Sequence, residues 1–249
     1  MKVSIITIAF NAATTIEETI QSVANQDYNS IEYILIDGGS TDETLEIAGR
    51  YKSNISKLIS EPDKGVYDAM NKGLALAGGD IVAILNADDA YANSQVISNV
   101  VAAFNRSGAD VCYGDLEYVD RSDTSKVIRR WISGEFRKSA FLDGWMPPHP
   151  AFFAKRKLYT EFGLFNTELK TSADYELMLR FLYKHNASAV YINEVLVKMK
   201  TGGQSNASLK NRIKANSEDR LAWKLNGLKP GNLTLIKKPL RKLSQFWKR

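Results

Sequence analysis

The order of apolar and polar segments predicts an α/β protein built on a doubly wound, mostly parallel, Rossmann-like sheet, with a less regular second half and a basic helical tail. Three observations carry this. Short runs of apolar, β-branched residues alternate with stretches whose apolar residues recur at helical spacing. The runs are apolar throughout rather than alternating with polar residues, as expected of strands covered on both faces. The chain has 249 residues, enough for one such domain with an elaborated C-terminal part.

The elements follow in order. Residues 3–10 (VSIITIAF) predict the first strand, and residues 14–25, with Ile16, Ile20 and Val23 at helical spacing, the first helix. Residues 31–36 (IEYILI) predict a second strand. Ser40, Thr41 and Asp42 then offer N-cap chemistry for a helix running to about Tyr51. Lys57 to Ser60 predicts a short third strand, and Tyr67 to Ala77 a helix closed by Gly78-Gly79. Ile81 to Leu85 predicts a fourth strand, Ser94 to Asn105 a helix, and Asp110 to Tyr113 the start of a fifth strand. Such an order implies right-handed crossovers. Beyond it, strands are predicted at 126–132, 151–153, 189–192 and 195–199, and helices at 156–162, 174–184 and 207–225.

Composition narrows the setting. Cys112 is the only cysteine, so no internal disulfide can form, which points to a reducing compartment. A core of this size needs neither disulfide nor metal to fold. The apolar run after Lys2 is too short for a secretory leader, and no run of about 18 apolar residues exists. A cytosolic protein is expected, or one held at the inner face of a membrane. Residues 198–249 carry 14 Lys/Arg against Glu218 and Asp219, a net +12; the preceding 19 Lys/Arg and 26 Asp/Glu leave the body at −7. The basic tail is either a solvated charged helix or a contact for an anionic partner. Leu240, Leu243, Phe246 and Trp247 could share one face, so residues 237–249 are a candidate interfacial helix on an anionic membrane.

In a doubly wound sheet ligands bind beyond the carboxyl ends of the strands. Four polar clusters fall there or at helix starts. Asp37-Gly38-Gly39-Ser40-Thr41-Asp42 follows strand two. Asp37 could accept a hydrogen bond from a base or ribose, or the segment could be a turn and helix cap. Glu61 to Gly73 packs Asp63, Asp68, Asn71 and Lys72 around two glycines, a polar density that favours ligand contact. Asn86-Ala87-Asp88-Asp89 follows strand four. Adjacent carboxylates repel, and a hard cation such as Mg²⁺ or Mn²⁺ would relieve them; capping of the next helix is the other reading. Asp174 opens a helix, as either a favourable first-turn acid or a general base. Of the two histidines, His149 sits in the rigid Pro147-Pro148-His149-Pro150 loop, free to ligate a metal, contact phosphate or serve the core. His185, at a helix end, suits the dipole there.

Taken together these residues resemble the family 2 glycosyltransferases of the GT-A fold. Residues 3–11 look like the first strand and nucleotide loop, which puts Phe10 and Asn11 beside the donor. The family often has proline where Thr7 or Ile8 stands. The resemblance implies that Asp37 meets the base and that Asp63 lies beside the nucleotide. Asn86-Ala87-Asp88 matches the Asp-x-Asp region, with Asn86 replacing the first aspartate and Asp88 a stronger metal ligand than Asp89. Asp174, in Ala-Asp-Tyr-Glu-Leu-x-Leu-Arg, matches the catalytic base of exopolysaccharide and lipopolysaccharide enzymes. The similarity spans residues 1–205. It divides into a nucleotide-sugar half (1–115) and an acceptor-side half (116–205), leaving 206–249 as a basic helical extension.

The implied reaction is an inverting transfer from a UDP-sugar, or a GDP-sugar, to a hydroxyl of a glycan or lipid-linked acceptor. Mn²⁺ or Mg²⁺ would be held by Asp88 and His149, and no nucleic-acid partner is implied. Lys200-Thr201-Gly202-Gly203-Gln204-Ser205 would form a mobile loop whose lysine meets phosphate. Rival readings are a nucleotidyltransferase, a dinucleotide oxidoreductase and an inactive sugar-nucleotide or polyanion-binding module. The first needs a glycine- and basic-rich loop and the second Gly-x-Gly-x-x-Gly after strand one. Phe10-Asn11-Ala12-Ala13 is neither.

Overall fold

The computed structural model describes residues 1–202, 209–231 and 234, and of 209–216 the backbone alone. The proposed membrane segment 237–249 and residues 203–205 of the expected loop lie outside the described residues. The elements run β1 (Val3–Ala9), α1 (Ile16–Ala24), β2 (Ile31–Asp37), α2 (Thr44–Arg50), β3 (Lys57–Ser60), α3 (Val66–Leu76), β4 (Ile81–Ile84), β5 (Asp89–Tyr91) and α4 (Val96–Ser107). Then come β6 (Val111–Val119), β7 (Val127–Trp131), β8 (Phe152–Lys155), α5 (Arg156–Phe162), α6 (Ala173–Met178), β9 (Ala189–Lys200) and α7 (Leu209–Leu225).

The strands form one sheet ordered β3-β2-β1-β4-β8-β6-β9-β5, with β7 on β6. The first four are parallel, as the alternating apolar runs predict. The fifth parallel strand does not lie beside β4, because β8 enters antiparallel between β4 and β6. β6 is parallel to β9. The two strands expected at 189–192 and 195–199 are the single irregular β9, whose far end pairs with β5. β5 has no sequence signal: three residues are too few to show a period, and its pairing with β9 is what makes it a strand.

Both faces of the sheet are covered, which explains the unbroken apolar strands. Ile6, Ile34, Ile36 and Ile84 pack with Tyr67, Met70 and Leu74 of α3 on one face. Val3, Ile5, Leu35 and Ala83 pack with α1, α2 and α4 on the other. α3 lies close on β1 because Gly73 has no side chain; a Cβ there would stand 2.3 Å from Ile6. The expected boundary at residue 205 does not divide the packing, since Ala222 and Trp223 of α7 are fully buried in the same core as α3 and α6. No helix among the described residues is long and apolar enough to cross a membrane.

Candidate functional site

The loops after β1, β2 and β3 are tied into one wall at the carboxyl edge of the sheet. Asn11 adopts a left-handed backbone (φ 49°). Its amide N–H donates to Ser40 Oγ at 2.8 Å and its side-chain oxygen accepts the Thr41 N–H at 2.9 Å. Ala12 N–H donates to Thr44 Oγ1 at 2.8 Å, and Ala13 N–H to Asp42 Oδ2 at 3.0 Å. Phe10 stands out from this wall with 59 % of its surface exposed. Gly38 is its floor: a Cβ there would lie 2.3 Å from Asp63 Oδ2 and 3.5 Å from the Phe10 ring, so Phe10, Gly38 and Asp63 converge.

Asp37 is placed differently from the expectation of a base contact. It is fully buried, and its carboxylate accepts from Gly39 N–H (3.1 Å), Ser40 N–H (3.0 Å), Ser60 Oγ (2.6 Å) and Ser40 Oγ. It shapes the wall from inside, while the half-buried Asp63 keeps an open side. Asn71 also turns inward. Its amide donates to Phe165 O at 2.9 Å and accepts from Phe165 N–H at 3.0 Å, so both ends are taken by one backbone unit far along the chain.

The segment after β4 holds its two acids in unlike surroundings. Asn86 and Asp88 are half-buried beside buried Ala87, whereas Asp89 is 1 % exposed. Asn86 Nδ2 donates to Asp89 Oδ2 at 2.9 Å, and Asp89 Oδ1 has no hydrogen-bond partner. Burial, reinforced by the neighbouring Asp88 charge, pushes the Asp89 pKa well up; the Asn86 bond and the Lys200 charge oppose it. Lys200 is not on a mobile loop. β9 runs one residue farther than the apolar pattern suggests, burying Lys200 to 7 % exposure against Glu18 of α1.

The second half delivers its groups to the same edge. β8 starts where β4 ends, so the preceding turn with His149 packs beside the end of β4. Asp174, half-buried in the first turn of α6, accepts a hydrogen bond from Tyr67 Oη at 3.2 Å, across 107 residues of sequence. Tyr67 stacks on Phe165 (centroids 5.7 Å apart), and His149 meets the same ring edge-on at 5.7 Å. Burial pushes the His149 pKa down against the pull of the Asp174 charge, which favours neutral imidazole. Burial and Asp174 together push the Tyr67 phenol far up, keeping it a donor. His185 stands at the C-terminal end of a helical turn, as expected. It stacks on Phe162 with ring centroids 3.9 Å apart, and burial with Lys184 and Arg180 nearby lowers its pKa.

The residues present fit a cation in one way. Among the described residues no three His, Cys, Asp or Glu groups cluster to hold a metal, so Asp88, Asp89 and His149 do not form a closed cage. A half-buried carboxylate beside a fully buried one with an unpartnered oxygen suits an ion whose other ligands are diphosphate oxygens and water, as is usual for Mg²⁺. Sequence reading missed Tyr67 and Phe165. A buried aromatic in a helix reads as core, and only its partner 107 residues away reveals another role.

Known proteins bear on this arrangement. A family model described as "Glycosyl transferase family 2" matches residues 4–163. A PGL/p-HBAD biosynthesis glycosyltransferase of Mycobacterium tuberculosis is 32 % identical over 208 residues, covering 82 % of this chain and 78 % of that protein. An uncharacterized glycosyltransferase of the same organism is 35 % identical over 181 residues, 72 % of this chain and 68 % of its own length. In three dimensions the chain resembles S. aureus TarS solved with UDP-GlcNAc (TM-score 0.72, 19 % identity, 99 % of this chain and 72 % of that one). It also resembles the mannosyltransferase PcManGT of Pyrobaculum calidifontis solved with GDP-Man and Mn²⁺ (TM-score 0.67, 19 % identity, 99 % and 71 %). The mixed, mostly parallel sheet is that of the GT-A fold, and the chain belongs to glycosyl transferase family 2.

Proposed function

We propose that this enzyme is an inverting, cation-dependent hexosyltransferase. Its donor is a UDP-sugar or, failing that, a GDP-sugar, and its acceptor is a hydroxyl of a glycan or lipid-linked sugar in bacterial surface-polysaccharide synthesis. The observation that carries this reading is Asp174: a half-buried carboxylate, oriented by Tyr67 and flanked by His149, at the sheet edge where Asp63 and Asp88 keep open sides. The donors named for TarS and PcManGT support a nucleoside-diphosphate sugar.

In this mechanism the acceptor hydroxyl attacks C1 of the donor sugar as its proton passes to Asp174. The C1–O bond to the diphosphate breaks, and the nucleoside diphosphate leaves with the electron pair. General-base help of this kind contributes roughly 10²–10⁴-fold. Tyr67 occupies Oδ1 of Asp174, which would leave Oδ2 to take the acceptor proton. Asp88 would hold the Mg²⁺ or Mn²⁺, whose charge offsets that of the departing diphosphate. Phe10, Asn11 and Asp63 line the nucleoside side, and Asn86 faces the ribose. Asp37, Asn71 and Lys200 act by holding the walls. The work is done at the inner membrane face if the tail beyond residue 237 binds anionic lipid.

The test is nucleoside-diphosphate release from a panel of UDP- and GDP-sugars, with and without Mn²⁺. Turnover with at least one donor is expected, lost in Asp88→Ala and Asp174→Asn. Full turnover in both variants would refute the assignment.

A further inference from the structure

We propose that Glu218, on α7 outside the segment that the family model matches, is a positioning residue for Asp174. It acts by holding the backbone from which α6 starts; the inference rests on Asp174 being the general base. The observation is one carboxylate oxygen with four donors. Glu218 Oε2 accepts from the N–H groups of Lys170 (3.1 Å), Thr171 (2.7 Å) and Ser172 (3.1 Å) and from Thr171 Oγ1 (2.8 Å). Glu218 is 8 % exposed.

Ser172 is the residue immediately before α6, and Asp174 is the second residue inside it. N–H groups at a helix start have no partner within the helix, and a buried one left unsatisfied is costly. α6 has no side-chain cap of its own. Glu218, brought from 46 to 48 residues downstream, gathers three consecutive N–H groups just where the chain turns into the helix. α7 and the residue after it also grip the residues that follow Asp174. Trp223 Nε1 donates to Tyr175 Oη at 2.9 Å, and Asn226 Nδ2 to Glu176 Oε1 at 2.9 Å. The turn carrying Asp174 is thus splinted on both sides, with Glu218 bearing the side that sets the approach of the helix. Loss of that anchor lets the carboxylate drift, and drift of about 1 Å in a reacting group is enough for a loss on the order of 10²-fold.

The test uses the full chain with whichever donor the panel of UDP- and GDP-sugars identifies. Glu218→Ala is expected to lower kcat by at least about 10-fold with donor KM changed less than about 2-fold. Glu218→Gln, which keeps an acceptor oxygen, is expected to stay within about 3-fold of wild type, and Glu218→Asp, one methylene short, to fall between. Phe104→Leu, in the core of the opposite face, supplies a control that loses melting temperature without touching α6. In the Asp174→Asn background, Glu218→Ala is expected to cost nothing more. If Glu218→Ala and Glu218→Asp lower kcat no further than Phe104→Leu does, the positioning role is overturned. Should the alanine variant fail to fold, the aspartate variant decides the question by the same comparison. If Asp174→Asn retains activity, the base assignment fails instead, independently of Glu218.

Discussion

Glu32 and Asp89 stand at opposite ends of one sheet, both nearly excluded from water at 6 % and 1 % exposure, and their carboxyl groups are pushed in opposite directions. At the amino edge, burial raises the Glu32 pKa, but Lys2 Nζ (2.8 Å), Ser4 Oγ (2.6 Å), Gly78 N–H (2.7 Å) and Lys57 (3.7 Å) more than offset it and bring it down to about 2. At the carboxyl edge, Asp89 has one bond from Asn86, one unpartnered oxygen and the Asp88 charge beside it, and its pKa rises. One end is a finished polar knot that fastens β1, β2, β3 and the turn into β4. The other end leaves one buried carboxylate oxygen, Asp89 Oδ1, without a partner. If the proposed site is right, stability and chemistry are separated along the strand axis, and variants at the two ends should fail in different assays.

The largest expected effect is on chemistry at the carboxyl edge. Asp174→Asn should cut kcat by roughly 10²–10⁴-fold while the melting temperature stays within a few degrees, read by steady-state kinetics beside calorimetry. A comparable loss of melting temperature would erase the contrast between the two ends.

Next in size is Glu32→Ala, expected to destabilise by about 3 kcal/mol in denaturant unfolding, because it strands buried donors, while activity per folded molecule is unchanged. Its pH dependence has a definite sign. The folded pKa of about 2 lies below the ordinary 4.5, so the stabilisation is complete above pH 4.5 and drains away as pH falls towards 2, at most about 3 kcal/mol. Unfolding curves of wild type and Glu32→Gln that stay parallel from pH 7 to pH 2 would contradict this.

Smaller again is Tyr67→Phe. Removing one hydroxyl from a charged acceptor should lower kcat about 10-fold with little change in donor affinity. An unchanged kcat would mean that Asp174 is held without it. Smallest is Asp89→Asn, expected to shift stability by less than about 1 kcal/mol, upward if at all, since it discharges a buried acid that lacks a full set of partners. A loss of several kcal/mol there would show that Asp89 is as well matched as Glu32.

Much of the fold was legible in the chain because its signals are local. Unbroken β-branched runs announce strands covered on both faces, and the residues following them mark the carboxyl edge, where Phe10, Asp63, Asn86 and Asp88 stand. The same local reading went astray where a side chain answers to a distant partner. Asp37 looked like a ligand contact, yet Ser60 from the next strand completes its enclosure. Asn71 looked like a donor contact, and Phe165 takes both ends of its amide. Lys200 looked free, and the pairing of β9 with β5 and β6 draws it inside against Glu18.

By itself, then, the sequence determined the strand cores, the parallel start of the sheet and the edge to which its acids belong, since hydrophobic period and strand ends are properties of a few consecutive residues. Only the tertiary structure decided which acids stay open and which are enclosed, and which residues hold Asp174. Those outcomes depend on bonds such as Tyr67 to Asp174 and Glu218 to Thr171, spanning 107 and 47 residues. No local pattern encodes such bonds, because chain separation says nothing about which groups packing will bring within about 3 Å of each other.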